Sequence, residues 1–502
     1  MLSLLIGIPL LGSILIGLIP EQAGKGLHRA LALGFGWVLF GLSAGLLLIF
    51  DPHLGSLQLA ERMAWIPQLG LVYEVGVDGI SLPLVVMTGL LVLMAIWASG
   101  QVERPRLYYS LVLMLAAAVA GAFLAQNLLL FFLFYEVELI PLYLLIAIWG
   151  GPRRTYAATK FLVYTALSGI LLLIGFFGLS WLSDAHSFTY TVLQAHPLPR
   201  LSQILLLIPI LLGLAIKIPL VPFHTWLPDA HVEASTPISV LLAGLLLKLG
   251  TYGLVRFGLQ LLPDAWDQAG PWLAGWAVVN VLYGSLNALV QQDMKKLVAY
   301  SSIAHMGYIL LAVAAATPLS LVGSIFQMVS HGLISSLLFL LVGAVYANTG
   351  TRDLKLLRGL LNPERGLPLI GSLMVLGVMA SGGTPGMVGF IAEFTLFRGS
   401  FAVFPLQTLL CMVGTGLTAA YFLLMVNRVF FGRLSQVAIA MQRHATEERL
   451  PAVVLATLVV LLGLQPSWAT RWVESTTLAL AKANLAGVAG LVTAFQFGLS
   501  SF

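Results

Sequence analysis

Apolar stretches long enough to cross a bilayer recur along almost the whole chain, and nothing else in the sequence constrains its fold so tightly. A spanning helix needs roughly 20 apolar residues. About 14 such stretches are visible, with approximate limits 2–20, 28–50, 79–99, 107–125, 127–149, 158–181, 203–226, 236–258, 273–291, 296–316, 320–347, 367–400, 404–432 and 450–466. The first lacks a basic leader and a small-residue cleavage site, so it reads as a true span rather than a signal peptide. Charged residues make up only 9% of the 502 positions, hydrophobic residues 59%, and mean hydropathy is +0.98. Some surface of a soluble fold must always face water, so this balance excludes a soluble enzyme, a nucleic-acid binder and a secreted domain. The expected fold class is an all-α membrane protein. Cys411 stands alone, which rules out a disulfide framework within the chain and any cysteine-built metal or iron–sulfur site.

The basic residues support the span count. Of the 25 lysines and arginines, Arg62, Arg200, Arg256 and Arg398 fall in even-numbered connections. Arg471 and Lys482 lie in the C-terminal tail, and Lys217 and Lys248 lie inside spans. The remaining 17, from Lys25 through Lys295 to Arg443 and Arg449, fall in odd-numbered connections. A wrong count would scramble that asymmetry. Positive charge is retained on the cytoplasmic side, so the odd connections are expected in the cytoplasm or stroma and both termini on the lumenal or periplasmic side. The tail from about 467 onwards is less apolar and reads as a surface helix along the membrane.

Five charges sit where charge is expensive. An ionisable group in mid-membrane costs about 2.5–3.5 kcal/mol on insertion scales and persists mainly where it lines a protein interior or a wet cavity. Glu136 and Glu138 lie in LFYEVELIPLY, two apart and so roughly 200° apart around a helix. Lys217 is followed by Pro219 and Pro222, which must interrupt span 7. Lys248 lies in what reads as a regular helix. Glu393 follows Gly382, Gly383, Pro385 and Gly386, which demand a break in span 12. His305 and His331 add groups that change charge near neutral pH. His224, Asp229 and His231 stand after the break in span 7, where capping the loop is the plainer reading of them.

Broken helices at corresponding places in two halves mark an inverted-repeat transporter. Spans 7 and 12 lie five apart, which suits two inverted five-helix repeats, spans 4–8 and 9–13. The expected organisation is 1–106 for helices 1–3, 107–258 and 259–435 for the two repeats, and 436–502 for helix 14 and the tail. An opposite charge beside a buried lysine favours its protonated form. A Glu136 that approaches and leaves Lys217 would therefore make it hold and release a proton. Lys248, His305, His331 and Glu393 would carry that proton onward. No Walker A pattern, dinucleotide fingerprint or metal-ligand spacing is present, so energy is expected from an ion gradient or from partner subunits.

The segments FYEVELIPLYLLIAIWGG, IKIPLVPFHTWLPDAHVEASTPISVLLAGLLLKLGTYGLVRF, KKLVAYSSIAHMGY and HGLISSLLFLLVGAVY resemble the antiporter-like subunits of respiratory complex I and its photosynthetic NDH-1 relatives, over roughly residues 80–435. The resemblance implies 14 transmembrane helices and a proton-pumping role. By motif it implies that Glu136, Lys217, Lys248, His305, His331 and Glu393 form the proton relay. A glutamate at 393 is similar to the middle antiporter-like subunit (chain 4, the M or D type), and the wording around Glu138 and Glu233 is closest to the cyanobacterial and plastid D form. That form implies a thylakoid or bacterial inner membrane and a complex that takes electrons from ferredoxin and reduces plastoquinone. Variant forms couple pumping to CO2 uptake, and the short N-terminus leans toward such a variant. Quinone and iron–sulfur clusters would then sit in partner subunits, with no cofactor or metal in this chain. Sibling antiporter-like subunits would flank it on both sides within the lipid, with no nucleic acid involved. Two competing readings are a Mrp-type cation/proton antiporter subunit and a membrane scaffold whose charges do no work.

Overall fold

The computed structural model describes residues 1–486 apart from residues 23, 25 and 442–446. Lys25, Arg443 and the tail from 487 lie outside the described residues. Eleven helices are long and apolar enough to cross a membrane, twelve if the bent pair Arg449–Leu464 and Ser467–Lys482 is one span. Leu2–Leu18 and Pro368–Ser381 are shorter apolar helices. The chain is thus a mostly helical integral membrane protein.

Burial grades the helices. The most apolar stretches of Thr236–Leu259 and Pro318–Thr349 are wholly enclosed, and that of Met294–Ala315 nearly so, whereas Leu27–Ile49 turns most of its surface outward. The enclosed helices are the ones that carry Lys248, His305 and His331. With little hydrophobic force between helices in lipid, close backbone approach is what holds such a bundle. Small residues provide it: a Cβ on Gly284 would meet the Ala304 backbone nitrogen at 2.7 Å, and one on Gly323 would meet that of Leu396 at 2.4 Å.

The connection between the second and third spans, expected only as a loop, is a β-hairpin. Strand β1 (Gln58–Ile66) pairs antiparallel with β2 (Leu71–Val77), and Gly70 turns the corner at φ +68. Polar and apolar residues alternate here over too short a stretch to stand out between long apolar runs. The hairpin ties the chain together on one side. Glu61 on β1 receives the N-terminal ammonium and the Ser3 hydroxyl, and the Gln126 N–H donates to the Glu74 carbonyl at 2.8 Å.

Arg256, assigned by sequence to an even connection, belongs instead to the end of the enclosed helix. Its guanidinium donates to Asp78 Oδ2 at 2.6 Å, both side chains are buried, and the pair joins that helix to the end of β2. Burial alone would raise the Asp78 carboxyl. Arg256 and the N–H groups of Ser81 and Ile80 outweigh it and hold the carboxyl below the ordinary carboxylate range. A charge at the end of a span reads as a topology signal, which hid this role. The helix Ser467–Ala486 also makes contacts that the sequence does not announce. It bends 64° from its predecessor and packs Trp472, Val473 and Ala481 against the bundle.

Candidate functional site

Three breaks in helical structure set the intramembrane charges in place. The first is at Glu138, where Leu128–Val137 gives way to Leu139–Trp149. Asn127 starts this pair of helices, its side-chain oxygen accepting from the N–H groups of Leu129 and Leu130 at 3.1 Å. The second break follows Lys217, where Arg200–Lys217 ends and Trp226–Glu233 begins after a turn containing a cis Val221–Pro222 bond. Backbone groups inside a bilayer must be satisfied within the protein. Here Asn280 Oδ1 accepts from Val221 N–H at 2.8 Å, the Trp276 indole donates to the Val221 carbonyl at 2.6 Å, and the Trp226 indole donates to the Ile216 carbonyl at 2.8 Å. The third break spans 382–387, between Pro368–Ser381 and Val388–Phe401, with Gly383 and Gly386 at φ +70 and +88. Only glycine adopts such angles without strain.

Lys248 does not lie in a regular helix, as the sequence suggested. Two π-helical segments, Leu242–Leu246 and Leu254–Leu259, flank it. Such bulges cluster at functional sites because they shift the register of side chains and free backbone groups. The Lys248 ammonium folds back onto one of those groups, donating to the Ala243 carbonyl at 2.5 Å.

The predicted residues assemble into two groups. In the first, Lys217 and Glu138 form an ion pair with neither side chain exposed, and the ammonium sits 4.4 Å over the Tyr135 ring. Tyr135 is held in turn by Ser168 at 2.6 Å, whose hydroxyl contacts the Gly213 carbonyl. The partner of Lys217 is thus Glu138, not the Glu136 expected from the sequence. Glu136 points elsewhere: its carboxylate lies over Gly169, so close that a Cβ there would fall 1.8 Å from Oε1, and that oxygen finds no partner among the described residues. Glu136 is half-buried, with that oxygen enclosed against Gly169 of the next helix.

The second group is a row. Lys248 Nζ lies 2.8 Å from His331 Nδ1, the His331 and His305 rings stand 5.5 Å apart, and His305 Nδ1 lies 3.6 Å from Glu393 Oε1. Gln327 and Ser381 brace His305 at 3.3 and 3.2 Å, and the Thr415 hydroxyl donates to Glu393 at 2.9 Å. A small cavity runs beside the row, lined by His305, Gln327, Ser330, His331, Ser381 and Glu393. Gln327 Oε1, Ser330 Oγ and His331 Nε2 are buried without a protein partner among the described residues. Buried polar atoms of this kind are met by water, and the cavity, about 10 Å³, has room for about one such bridging molecule. The two groups adjoin at Gly250, where a Cβ would come 3.4 Å from Lys217 Cβ.

Of the secondary residues, Asp229 pairs with Lys160 at 2.8 Å in a partly exposed site, a structural contact. His224 packs edge-on against Tyr283 in the break of the seventh span. His231 is fully enclosed and stacks on Phe339 at 4.5 Å between centroids. A further buried charge, beside the Asp78–Arg256 pair, was missed. Lys295, assigned to an odd connection, is only 4% exposed.

The family model described as NADH:quinone oxidoreductase/Mrp antiporter, transmembrane, matches residues 125–418. The chain is 44% identical over 496 residues to NAD(P)H-quinone oxidoreductase chain 4 1 of Synechococcus sp. (strain JA-3-3Ab), covering 96% of this chain and 92% of that one. It is 40% identical to chain 4 2 of Thermosynechococcus vestitus, at 96% and 92% coverage, and 42% identical to chain 4 3 of Trichormus variabilis, at 87% and 82%. Among solved structures it is similar to a chain of respiratory complex I from Thermus thermophilus, with TM-score 0.88, 29% identity and 96% and 100% coverage. A chain of the Mrp complex from Dietzia sp. shares the fold, with TM-score 0.86 at 22% identity and 96% and 99% coverage.

Proposed function

The chain belongs to the NADH:quinone oxidoreductase/Mrp antiporter family of transmembrane proteins, and from that premise we propose that it is the chain 4-type subunit of a cyanobacterial NDH-1 assembly, driven by redox chemistry in its partners to move protons across the membrane. The observation that carries this reading is the unbroken row Lys248–His331–His305–Glu393 inside the enclosed core. Each member can take and give a proton, and the spacings are those of direct hydrogen bonds or a single bridging water.

Lys217 and Glu138 form the other end of the relay. A buried pair holds its charges only while both partners stay together. Separation of Glu138 from Lys217 would release a proton toward Lys248, across the contact at Gly250. Glu136 is the carboxylate through which the state of a neighbouring subunit would be felt, because it is only half-buried and is not the ion-pair partner of Lys217. Siblings on both sides, in a thylakoid membrane, are the expected partners. Quinone and iron–sulfur clusters belong to other subunits of the assembly.

We count 14 spans: the eleven long helices, the bent pair as one, Leu2–Leu18, and the two-piece segment Pro368–Ser381 with Val388–Phe401. The breaks after Lys217 and before Glu393 lie in the seventh and twelfth of these. That supports inverted repeats over 107–258 and 259–435, with helices 1–3 in 1–106, helix 14 and the tail in 436–502, and both termini on the lumenal side. Relatives numbered 1, 2 and 3 are matched at 40–44% identity, so no numbered form, and no CO2-uptake form, is favoured. The Mrp reading shares the family model and the fold, but its solved relative is only 22% identical, against 40–44% for the chain 4 relatives.

The test is purification of the tagged chain in mild detergent, followed by proton translocation in vesicles. Quinone-reducing subunits should copurify. Lys248→Ala should assemble normally and lose electron-driven proton uptake. Sodium-dependent exchange without an electron donor would instead support the antiporter reading, and normal pumping by Lys248→Ala would leave only a scaffold.

A further inference from the structure

His231 is an unusual buried group. It is fully enclosed, its ring stacks flat on Phe339, and both ring nitrogens lack a partner among the described residues. A buried polar atom normally has a partner or a water, and two on one imidazole mark a place where a proton can be received on one side and passed from the other. Its electrostatic neighbours are Lys295 and Lys248, and it is felt in turn by His331. His231 is therefore within electrostatic reach of both Lys248, at the end of the central row, and a lysine that the row does not include.

That lysine sits near the face that carries the basic connections. Asp293 begins its helix, accepting from the Lys295 and Lys296 N–H groups at 2.8 and 3.0 Å, which fixes Lys295 in the first turn. Its ammonium turns inward and donates to the Ala234 carbonyl at 2.5 Å, three residues past His231. The acids around it are already engaged. Asp293 pairs with Arg352 at 3.2 Å, and Glu233 accepts from the Arg153 N–H at 2.9 Å and faces its guanidinium at 3.6 Å. Arg352 also donates to the Val232 carbonyl at 2.9 Å. Among the described residues no carboxylate lies within ion-pair distance of Lys295. A cation enclosed near Arg352, with no ion-pair partner among the described residues, is placed to give up a proton rather than to hold the fold by charge.

We propose that Lys295 and His231 form the entry branch by which protons from the basic face reach Lys248. The Lys295 ammonium passes a proton through bridging water to His231. His231 passes its other ring proton toward Lys248 when that amine is neutral, and water at the face reprotonates Lys295. This rests on the proton-pumping reading of the central row and adds two residues to it.

The test uses the assembled complex in vesicles, with electron-driven proton uptake followed by a pH-sensitive dye. Lys295→Arg keeps a cation and a donor to the Ala234 carbonyl but cannot release its proton at any ordinary pH. Lys295→Gln keeps the donor alone. Both should assemble and lose at least about tenfold in proton uptake, as should His231→Leu, which keeps a flat-sided apolar contact on Phe339. Lys248→Ala is measured alongside. If Lys248→Ala abolishes uptake and Lys295→Arg does not, the entry branch is wrong and the central row stands. If Lys248→Ala pumps normally, the underlying reading fails first. Failure of both Lys295 variants to assemble would show that the ammonium is a structural clasp on Ala234, which also overturns the proposal.

Discussion

The Lys248 ammonium donates at once to the Ala243 carbonyl at 2.5 Å and approaches His331 Nδ1 at 2.8 Å, so one lysine joins a π-bulge of its own helix to a histidine of the neighbouring helix. With Nδ1 accepting, the neutral imidazole carries its proton on Nε2, the nitrogen left without a partner among the described residues. The bulge thus aims the lysine, and the lysine sets the histidine's tautomer. Groups that act as one unit give losses that do not add. Lys248→Ala and His331→Ala should each lower electron-driven proton uptake at least about tenfold, and the double variant should be no worse than either. Multiplicative losses in the dye assay would show that the two residues work independently.

Glu136 and Glu138 should separate cleanly. Glu138→Gln leaves Lys217 buried without its counter-ion, and removing one partner of a buried pair costs about 3–5 kcal/mol. Reduced assembly or a lower unfolding midpoint in detergent is therefore expected. Glu136→Gln removes a carboxylate that has no ion-pair partner among the described residues, so assembly should be normal while proton uptake falls. Equal unfolding midpoints for the two variants would contradict this assignment.

Much of this site was legible in the sequence because charge in an apolar run is conspicuous. Glu136, Lys217, Lys248 and Glu393 stand out for that reason, and prolines and glycines announced the breaks beside Lys217 and Glu393. The choice of Glu138 over Glu136 as partner of Lys217 was not legible. Two carboxylates two residues apart face opposite ways on a helix, and only the packing of the neighbouring helices decides which faces inward. The π-segments around Lys248 are not announced by composition, since Gly244 and Gly258 apart their residues also suit an α-helix. Lys295 and Arg256 were hidden by their positions: a cation at a span end reads as a topology signal whether its side chain turns outward or inward.

Gly169 gives a steric route to the same acid. A Cβ at this position would fall 1.8 Å from Glu136 Oε1, so the carboxylate must move if Gly169→Ala folds. Proton uptake should drop several-fold with the complex intact. Glu136→Gln with Gly169→Ala should show no loss beyond Glu136→Gln alone. A further drop in the double variant would mean that Gly169 acts on helix packing and not through Glu136.

The Asp78–Arg256 pair should contribute to stability and depend on pH in a defined direction. The two side chains are 7% and 4% exposed, so little solvent screens them. Asp78→Asn leaves the guanidinium without its partner, at a cost of about 3–5 kcal/mol near neutral pH. The Asp78 carboxyl is held below its ordinary value in the folded chain. Its contribution is therefore complete above the ordinary carboxylate pKa of about 3.9 and is lost as pH falls through the lower folded value. The gap in unfolding midpoint between the natural chain and Asp78→Asn should be constant from pH 7 to about 5 and narrow only below about 4. Intrinsic-fluorescence melts in detergent at stepped pH would measure it. A gap that narrows already between pH 7 and 6 would point to another titrating group as the source.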